Sequence, residues 1–414
     1  MGTARIKLLK MRESLKQTSF WAVLAFTALM IFLSGTIPYT TLPFSQWDLL
    51  NYRNMAQFAP GIDLSVCPPY TYRILGPYLI GLVPLSDVHA FYWTAVILSF
   101  VLAASYYSLV CRLGLSRSIA ALVTILFTMN RYFFGFTVWD FFQIDDLISE
   151  VLLVLLFISM LQGKWLRYSL LLAAGALTRE SVFIIVPTTL VYLWENKKLK
   201  SSLLSLVGAT APGLLIFIGL RILLKSTCTD HEAGLPQNGA EYYGWAFLHY
   251  IRHFFAPETI FRRLVNAFAP FSLLPIVFFG QTRDFMLKNK YMAVFYIFVF
   301  AATLFGGDYE RLMAPSFIVF YYFLGLIIQK TSASRTSASR PVVFAAMLVT
   351  AFMSTLHYQN ARFKLPSQKY AIAFSMGSLC LMTLLAILYR LNRKNKISAS
   401  FFRAKAKLVL FTIF

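Results

Sequence analysis

The sequence predicts an all-α, polytopic transmembrane bundle of roughly 10–13 helices, with one re-entrant pair of short helices. Three observations carry that expectation. First, 58% of the 414 residues are hydrophobic and 13% are charged, whereas soluble proteins carry about 25% charged residues. Second, apolar runs long enough or nearly long enough to cross hydrocarbon recur along the chain, most clearly at 20–37, 91–111, 203–224, 312–328 and 371–389. They lack the strict alternation of a barrel strand, so their backbone groups are satisfied within helices. Third, the charge of +21 lies in short segments between these runs and in both tails, the pattern of a cytoplasmic face. A nucleic-acid partner would require a basic stripe on a soluble domain, and the sequence holds no such domain.

These signals divide the chain into a basic N-terminal segment (1–19), a core (20–329) with outside loops at 40–72 and 225–263, a basic linker (330–341), C-terminal helices (342–391) and a basic tail (392–414). The N-terminus is expected in the cytoplasm, followed by a retained first helix. Segment 72–85 is too short for a full crossing. Runs 118–138, 146–161, 264–279 and 291–305 are each expected to cross once. Segment 168–194 differs, because Lys164 and Arg167 precede it and Lys197, Lys198 and Lys200 follow it. Basic residues at both ends, with Arg179 and Glu180 between, predict two short helices (168–177 and 181–194) that enter and leave on one side. Cys67 and Cys228 both fall on the outside face, where a disulfide and free thiols are each compatible with the sequence.

Only 17 residues are acidic, so their placement can be read singly. Ten, including Asp48, Asp140, Asp145, Asp308 and Glu310, map to the outside face. Carboxylates near membrane depth are costly and mark candidate sites. Asp48, four residues before Tyr52, reads either as a helix cap or as a general base. Arg73 opens a short apolar segment, where it either snorkels to headgroups or grips a phosphate with its planar fork. Arg179 and Glu180 read either as a mutual ion pair or as groups facing a lipid phosphate. Asp308 and Arg311 flank a Gly306-Gly307 turn, either a plain surface turn or a sugar or pyrophosphate contact. Asp140, beside Trp139, groups with Asp145 and Asp146 as sugar contacts or an interfacial belt. His249 and His253 have metal-like spacing but lack the partners of a zinc site, so packing is favoured. No phosphate-binding loop, dinucleotide fingerprint or nucleophile elbow occurs.

At Trp47-Asp48 with Tyr52, at Tyr72-Arg73-Ile74-Leu75-Gly76-Pro77 and at Leu177-Thr178-Arg179-Glu180 with Pro187, the chain resembles the GT-C superfamily of polytopic glycosyltransferases. The likeness is to the bacterial branch related to protein and GPI mannosyltransferases. It runs over about 20–328 in order and topology, and the Gly307-Asp308…Arg311 turn is similar to late-loop motifs of some members. The resemblance implies a polyprenyl-phosphate-linked sugar donor and a glycan, lipid or protein acceptor. It also implies inverting transfer at the outer face of a bacterial inner membrane. Asp48 would be the general base, and Tyr52, Arg73, Asp140, Arg179, Glu180, Asp308 and Arg311 would bind substrate. The acidic pair frequent in the family's first loop is reduced here to Asp48, with Asp63 the next carboxylate. The resemblance therefore implies no cofactor for certain, and a divalent cation stays open. The competing classes are a transporter or flippase of lipid-linked sugar, and a polytopic polysaccharide polymerase.

Overall fold

A computed structural model describes residues 2–38, 49–85, 87–227, 239–333, 340–355 and 368–395. No strand occurs among the described residues. The helices are α1 (Gly2–Ser34), α2 (Leu49–Phe58), α3 (Leu75–Gly81), α4 (Asp87–Arg112), α5 (Arg117–Thr128), α6 (Phe136–Trp139), α7 (Ile144–Gln162), α8 (Trp165–Ala176), α9 (Ile185–Glu195) and α10 (Leu199–Leu223). There follow α11 (Gly239–Ile251), α12 (Pro257–Phe261), α13 (Leu274–Val277), α14 (Phe279–Lys288), α15 (Lys290–Ala302), α16 (Tyr309–Leu312), α17 (Phe317–Ala333), α18 (Arg340–Thr355) and α19 (Gln368–Asn395).

Among the described residues four helical stretches are long and apolar enough to cross a membrane: Asp87–Arg112, Leu199–Leu223, Ala314–Thr331 and Ile372–Leu391. Two bent pairs raise the number to six if each is one span. One pair breaks between Thr128 and Arg131 at 60°, the other between Lys288 and Lys290 at 104°. The spans differ in surroundings. The Ala314–Thr331 window is 78% buried and the Leu199–Leu223 window 17%, so α17 is central and α10 peripheral. On α10, Leu204, Leu215, Ile222 and Leu223 are exposed. Such a face suits hydrocarbon, so the described helices fit an integral membrane protein.

The single crossing expected over 264–279 is not present. That stretch is broken into a π-helical turn (Arg262–Asn266), a loop and the four-residue α13. Pro270 and Pro275 lack the amide hydrogens a continuous helix would need there. The crossing expected over 118–138 bends because Asn130 accepts hydrogen bonds from the amides of Tyr132 and Phe133, both at 2.9 Å. That cap starts a new helical segment in mid-run.

The helical hairpin expected over 168–194 is present, as α8, a 3-10 turn (Glu180–Ile184) and α9. α8 packs between α7 and α10, and α9 packs on α15. At the hairpin's open end Glu195 caps α15, accepting from the amides of Lys290 (2.9 Å) and Tyr291 (3.2 Å). At its closed end Gly175 touches the returning turn. A Cβ added there would lie 2.5 Å from Val182 Cγ1, well inside van der Waals contact. Gly175→Ala is therefore expected to lower stability by about 1–3 kcal/mol through overpacking, read as a fall in the unfolding temperature of detergent-purified protein. Adding Val182→Ala should recover part of that fall. No recovery would mean that the two residues do not meet.

Candidate functional site

The ends of five elements meet where the hairpin closes. The N-terminal amides of α3 have no partner within their own helix. The Leu75 amide donates to Leu177 O at the end of α8 (3.0 Å), and the Gly76 amide donates to Asp145 Oδ1 at the start of α7 (3.2 Å). A Cβ on Gly76 would sit 2.6 Å from that carboxylate oxygen, so only glycine permits the approach. This junction fixes the backbone two residues beyond Arg73.

Arg73 is buried, and its guanidinium donates to Glu180 Oε1 at 3.2 Å and to the Tyr52 hydroxyl at 3.5 Å. On the far side of Glu180 stands Arg221, in the last turn of α10, 3.7 Å from Oε2. Arg221 also donates to the Tyr243 hydroxyl (3.1 Å) and lies over the rings of Phe217 (3.6 Å) and Tyr72 (4.9 Å). Arg179 pairs with Asp146 at the start of α7. The other oxygen of Asp146 faces Arg311 at 3.6 Å, and Arg311 reaches Asp308 at 3.1 Å. The result is two chains of alternating charge, Arg73–Glu180–Arg221 and Arg179–Asp146–Arg311–Asp308, joined at the Arg179-Glu180 peptide. Four guanidiniums stand against three carboxylates in these ion pairs. The Nε–H groups of Arg73, Arg179 and Arg221 have no hydrogen-bond partner among the described residues.

Several sequence expectations change. Arg73 does not snorkel outward; it is turned inward to Glu180. Arg179 and Glu180 do not pair with each other. Arg179 is extended (φ −147°, ψ 140°), and extended backbone points successive side chains to opposite sides. Asp140, Asp145 and Asp146 form no interfacial belt, since they are 0, 0 and 3% exposed. The Asp308–Arg311 segment is no plain surface turn, because Tyr309 and Glu310 are buried. Cys67 is not a free thiol but disulfide-bonded. Next to it Ser226 Oγ donates to Val66 O (2.9 Å) and the Thr227 amide to Leu64 O (2.7 Å), tying the loop before Arg73 to the end of α10. His249 stacks on Trp245, a packing role, and no group of three potential metal ligands occurs among the described residues. Asp48, Asp230, Glu232 and Cys228 lie outside the described residues.

Arg221 is the principal group that the motif reading passes over. Its signal was present: it is the one charge within the apolar run 203–224, and such a charge marks a site by default. Asp146 was seen only as half of an acidic pair.

The carboxylates of the network are electrostatically unlike. Burial alone would raise the pKa of Glu180, but Arg73, Arg179 and Arg221 outweigh it and hold the carboxyl at about 2. Glu180 is therefore a fixed anion at neutral pH. Burial raises Asp308; Arg311 opposes the rise, Glu310 and Asp146 add to it, and the net shift is upward. Asp308 also keeps 38% of its side-chain surface open. Among these groups it is the carboxylate suited to taking a proton from a bound molecule.

No protein-family model, curated protein or solved structure matches the chain.

Because the folded pKa of Glu180 lies below its unfolded value near 4.5, its stabilisation is present above pH 4.5 and fades as pH falls towards 2. Arg221→Gln removes one cation and lets that pKa rise. The variant is expected to lose tertiary structure at higher pH than the wild type on acid titration, followed by tryptophan fluorescence. Coincident acid transitions would contradict the assignment.

Proposed function

We propose that this chain is a membrane glycosyltransferase that moves a sugar from a polyprenyl-phosphate carrier to an acceptor hydroxyl. The observation that carries this reading is the cluster of four guanidiniums facing three carboxylates at the ends of apolar helices, where the Nε–H groups of Arg73, Arg179 and Arg221 have no partner among the described residues. A prenyl chain dissolves beside such helices, and its phosphate then arrives at the level of their ends. There the guanidiniums suit an anion that gains charge as the glycosidic bond breaks.

In this reading Arg73 and Arg221 take the donor phosphate, with Arg179 and Arg311 behind them. Glu180 holds Arg73 and Arg221 at a fixed spacing and does not itself exchange a proton. The acceptor oxygen attacks the anomeric carbon, the bond from that carbon to the phosphate oxygen breaks, and the acceptor proton passes to a carboxylate. Asp48, directly before the buried start of α2, is the base inferred from the sequence. Asp308 is its alternative on electrostatic grounds. Tyr52, hydrogen-bonded to Arg73, and the fully buried Asp140 complete the set. The resemblance to GT-C enzymes supports a larger count of crossings, roughly 10–13 with the shorter helices included. It also supports a bacterial inner membrane with the N-terminus in the cytoplasm. The exposed Lys164, Arg167, Lys197 and Lys198 lie at the opposite end of the hairpin from the Glu180 network, in keeping with that sidedness.

The test is product formation from radiolabelled polyprenyl-phosphate sugars in detergent, where a transporter or flippase has no gradient to move along and yields nothing. Arg73→Ala should raise the donor KM roughly 10- to 100-fold by removing a charged contact, with Arg73→Lys restoring only part. Loss of the base should lower kcat about 100- to 10,000-fold. Asp48→Asn and Asp308→Asn decide which carboxylate serves. If Asp308 is the base, kcat/KM falls on the acid side of a pKa above that of ordinary aspartate, and the limb vanishes in Asp308→Asn. If both variants turn over as wild type, neither carboxylate is the base and the mechanism fails.

A further inference from the structure

We propose that Arg131, Arg262 and Arg263 form a second anion site, which takes a phosphate-bearing group and is separate from the Glu180 network. The inference does not depend on the glycosyl-transfer reading.

The site is built on two π-helical turns, Arg131–Gly135 and Arg262–Asn266, each with an extra residue in its turn. Such turns are rare and recur at functional positions. Asn130 joins them: its side chain caps the first turn and donates to Ala267 O, just past the second, at 2.9 Å. Arg262 holds the carboxylate of Glu310, Asn266 links that carboxylate to Arg131, and Arg263 lies against Tyr309, the residue before Glu310. That carboxylate is already engaged by Arg262 in a fork, with Nε at 2.8 Å from Oε1 and Nη2 at 2.6 Å from Oε2.

The other two guanidiniums have no carboxylate partner among the described residues. Arg131 is 6% exposed, and its only acceptors are neutral, the Tyr132 hydroxyl and Asn266 Oδ1; its Nε and Nη1 have none among the described residues. Arg263 is fully buried between the rings of Phe254 (4.2 Å) and Tyr309 (4.3 Å). It donates to Phe254 O, while Nε and Nη2 are unpartnered. Aromatic faces attract a cation but do not replace a counter-ion, and a buried charge without one is costly. Burial pulls the Arg263 pKa down; Tyr309 opposes the fall and Arg262 adds to it. An anion reaching either guanidinium would relieve it. The approach is past Arg262, whose side chain is 35% exposed, and the half-buried Tyr132 and Asn266. A phosphate oxygen displacing Asn266 Oδ1 would give Arg131 a charge-assisted bond in place of a neutral one.

The helix α16 divides this site from the first. Asp308 and Arg311 turn to Asp146, whereas Tyr309 and Glu310 turn to Arg262 and Arg263. The two arginine clusters thus lie on opposite sides of one helical turn.

The experiment is equilibrium binding of radiolabelled inorganic pyrophosphate to the detergent-purified full chain, with native mass spectrometry in phosphatidylcholine nanodiscs doped with phosphatidylglycerol. Arg262→Gln is expected to hold about one anion fewer than the wild type. Arg262→Lys, which keeps the charge, should retain that anion at lower affinity and controls for folding. Pyrophosphate binding lost in Arg262→Gln identifies a free phosphate ligand. Retention of phosphatidylglycerol alone, lost in the same variant, identifies a lipid headgroup. Unaltered binding of both probes by Arg262→Gln, or no binding that depends on Arg262, overturns the proposal. Arg221→Gln separates the two sites: if it leaves the count unchanged while Arg262→Gln lowers it, the second site stands and the Glu180 network is no phosphate site.

Discussion

Glu180 lies between the guanidiniums of Arg73 and Arg221, and the arrangement of this end of the bundle follows from the need to keep those three charges together. A carboxylate among apolar helices is tolerated only with cations close by. Its partners come from distant parts of the chain, Arg73 before α3 and Arg221 in the last turn of α10. Satisfying one charge therefore closes a loop through α3, the α8–α9 hairpin and α10. The same closure is reinforced by two further sets of contacts. The Leu75 and Gly76 amides find partners on α8 and α7, and the Cys67 loop is stitched to residues 226 and 227. Removing one cation would leave a buried anion underpaired, so the network gains little strength from extra ion pairs and much from completeness.

The helical class and the hairpin were legible in the sequence because they depend on coarse quantities. Apolar run length marks where helices can form, and the break at Arg179-Glu180 between two short apolar runs marks where the hairpin turns. Breaks within runs were harder to read. The 264–279 stretch has the composition of a span, and its two prolines decide against one. The 118–138 run bends at Asn130, whose capping role depends on which amides its side chain reaches rather than on hydropathy.

Pairing of charges was the least legible feature, for a geometric reason. Arg179 and Glu180 are adjacent, which suggests a mutual pair, yet one extended residue sends them to different partners more than thirty positions away along the chain. Asp145 and Asp146 divide in the same manner, one serving a backbone amide and the other two guanidiniums. Neighbouring charges in a sequence share a location but not an orientation. Single residues such as Arg73 and Asp308 could be singled out because charge is rare in this chain, but their partners could not be named.

The two arginine clusters differ in how far each is balanced within the chain, and that difference bears on what each can do. In the Glu180 network every guanidinium has a carboxylate, so the site is held together whether or not a ligand is bound. An anion arriving there competes with carboxylates already in place and can leave again, as a turnover site requires. In the second cluster Arg131 and Arg263 have only neutral oxygens and aromatic faces among the described residues. An anion there meets no competing carboxylate for Arg131 or Arg263, which favours retention over exchange. The balanced cluster is accordingly the better candidate for chemistry, and the unbalanced one for holding a group that stays while chemistry proceeds beside it.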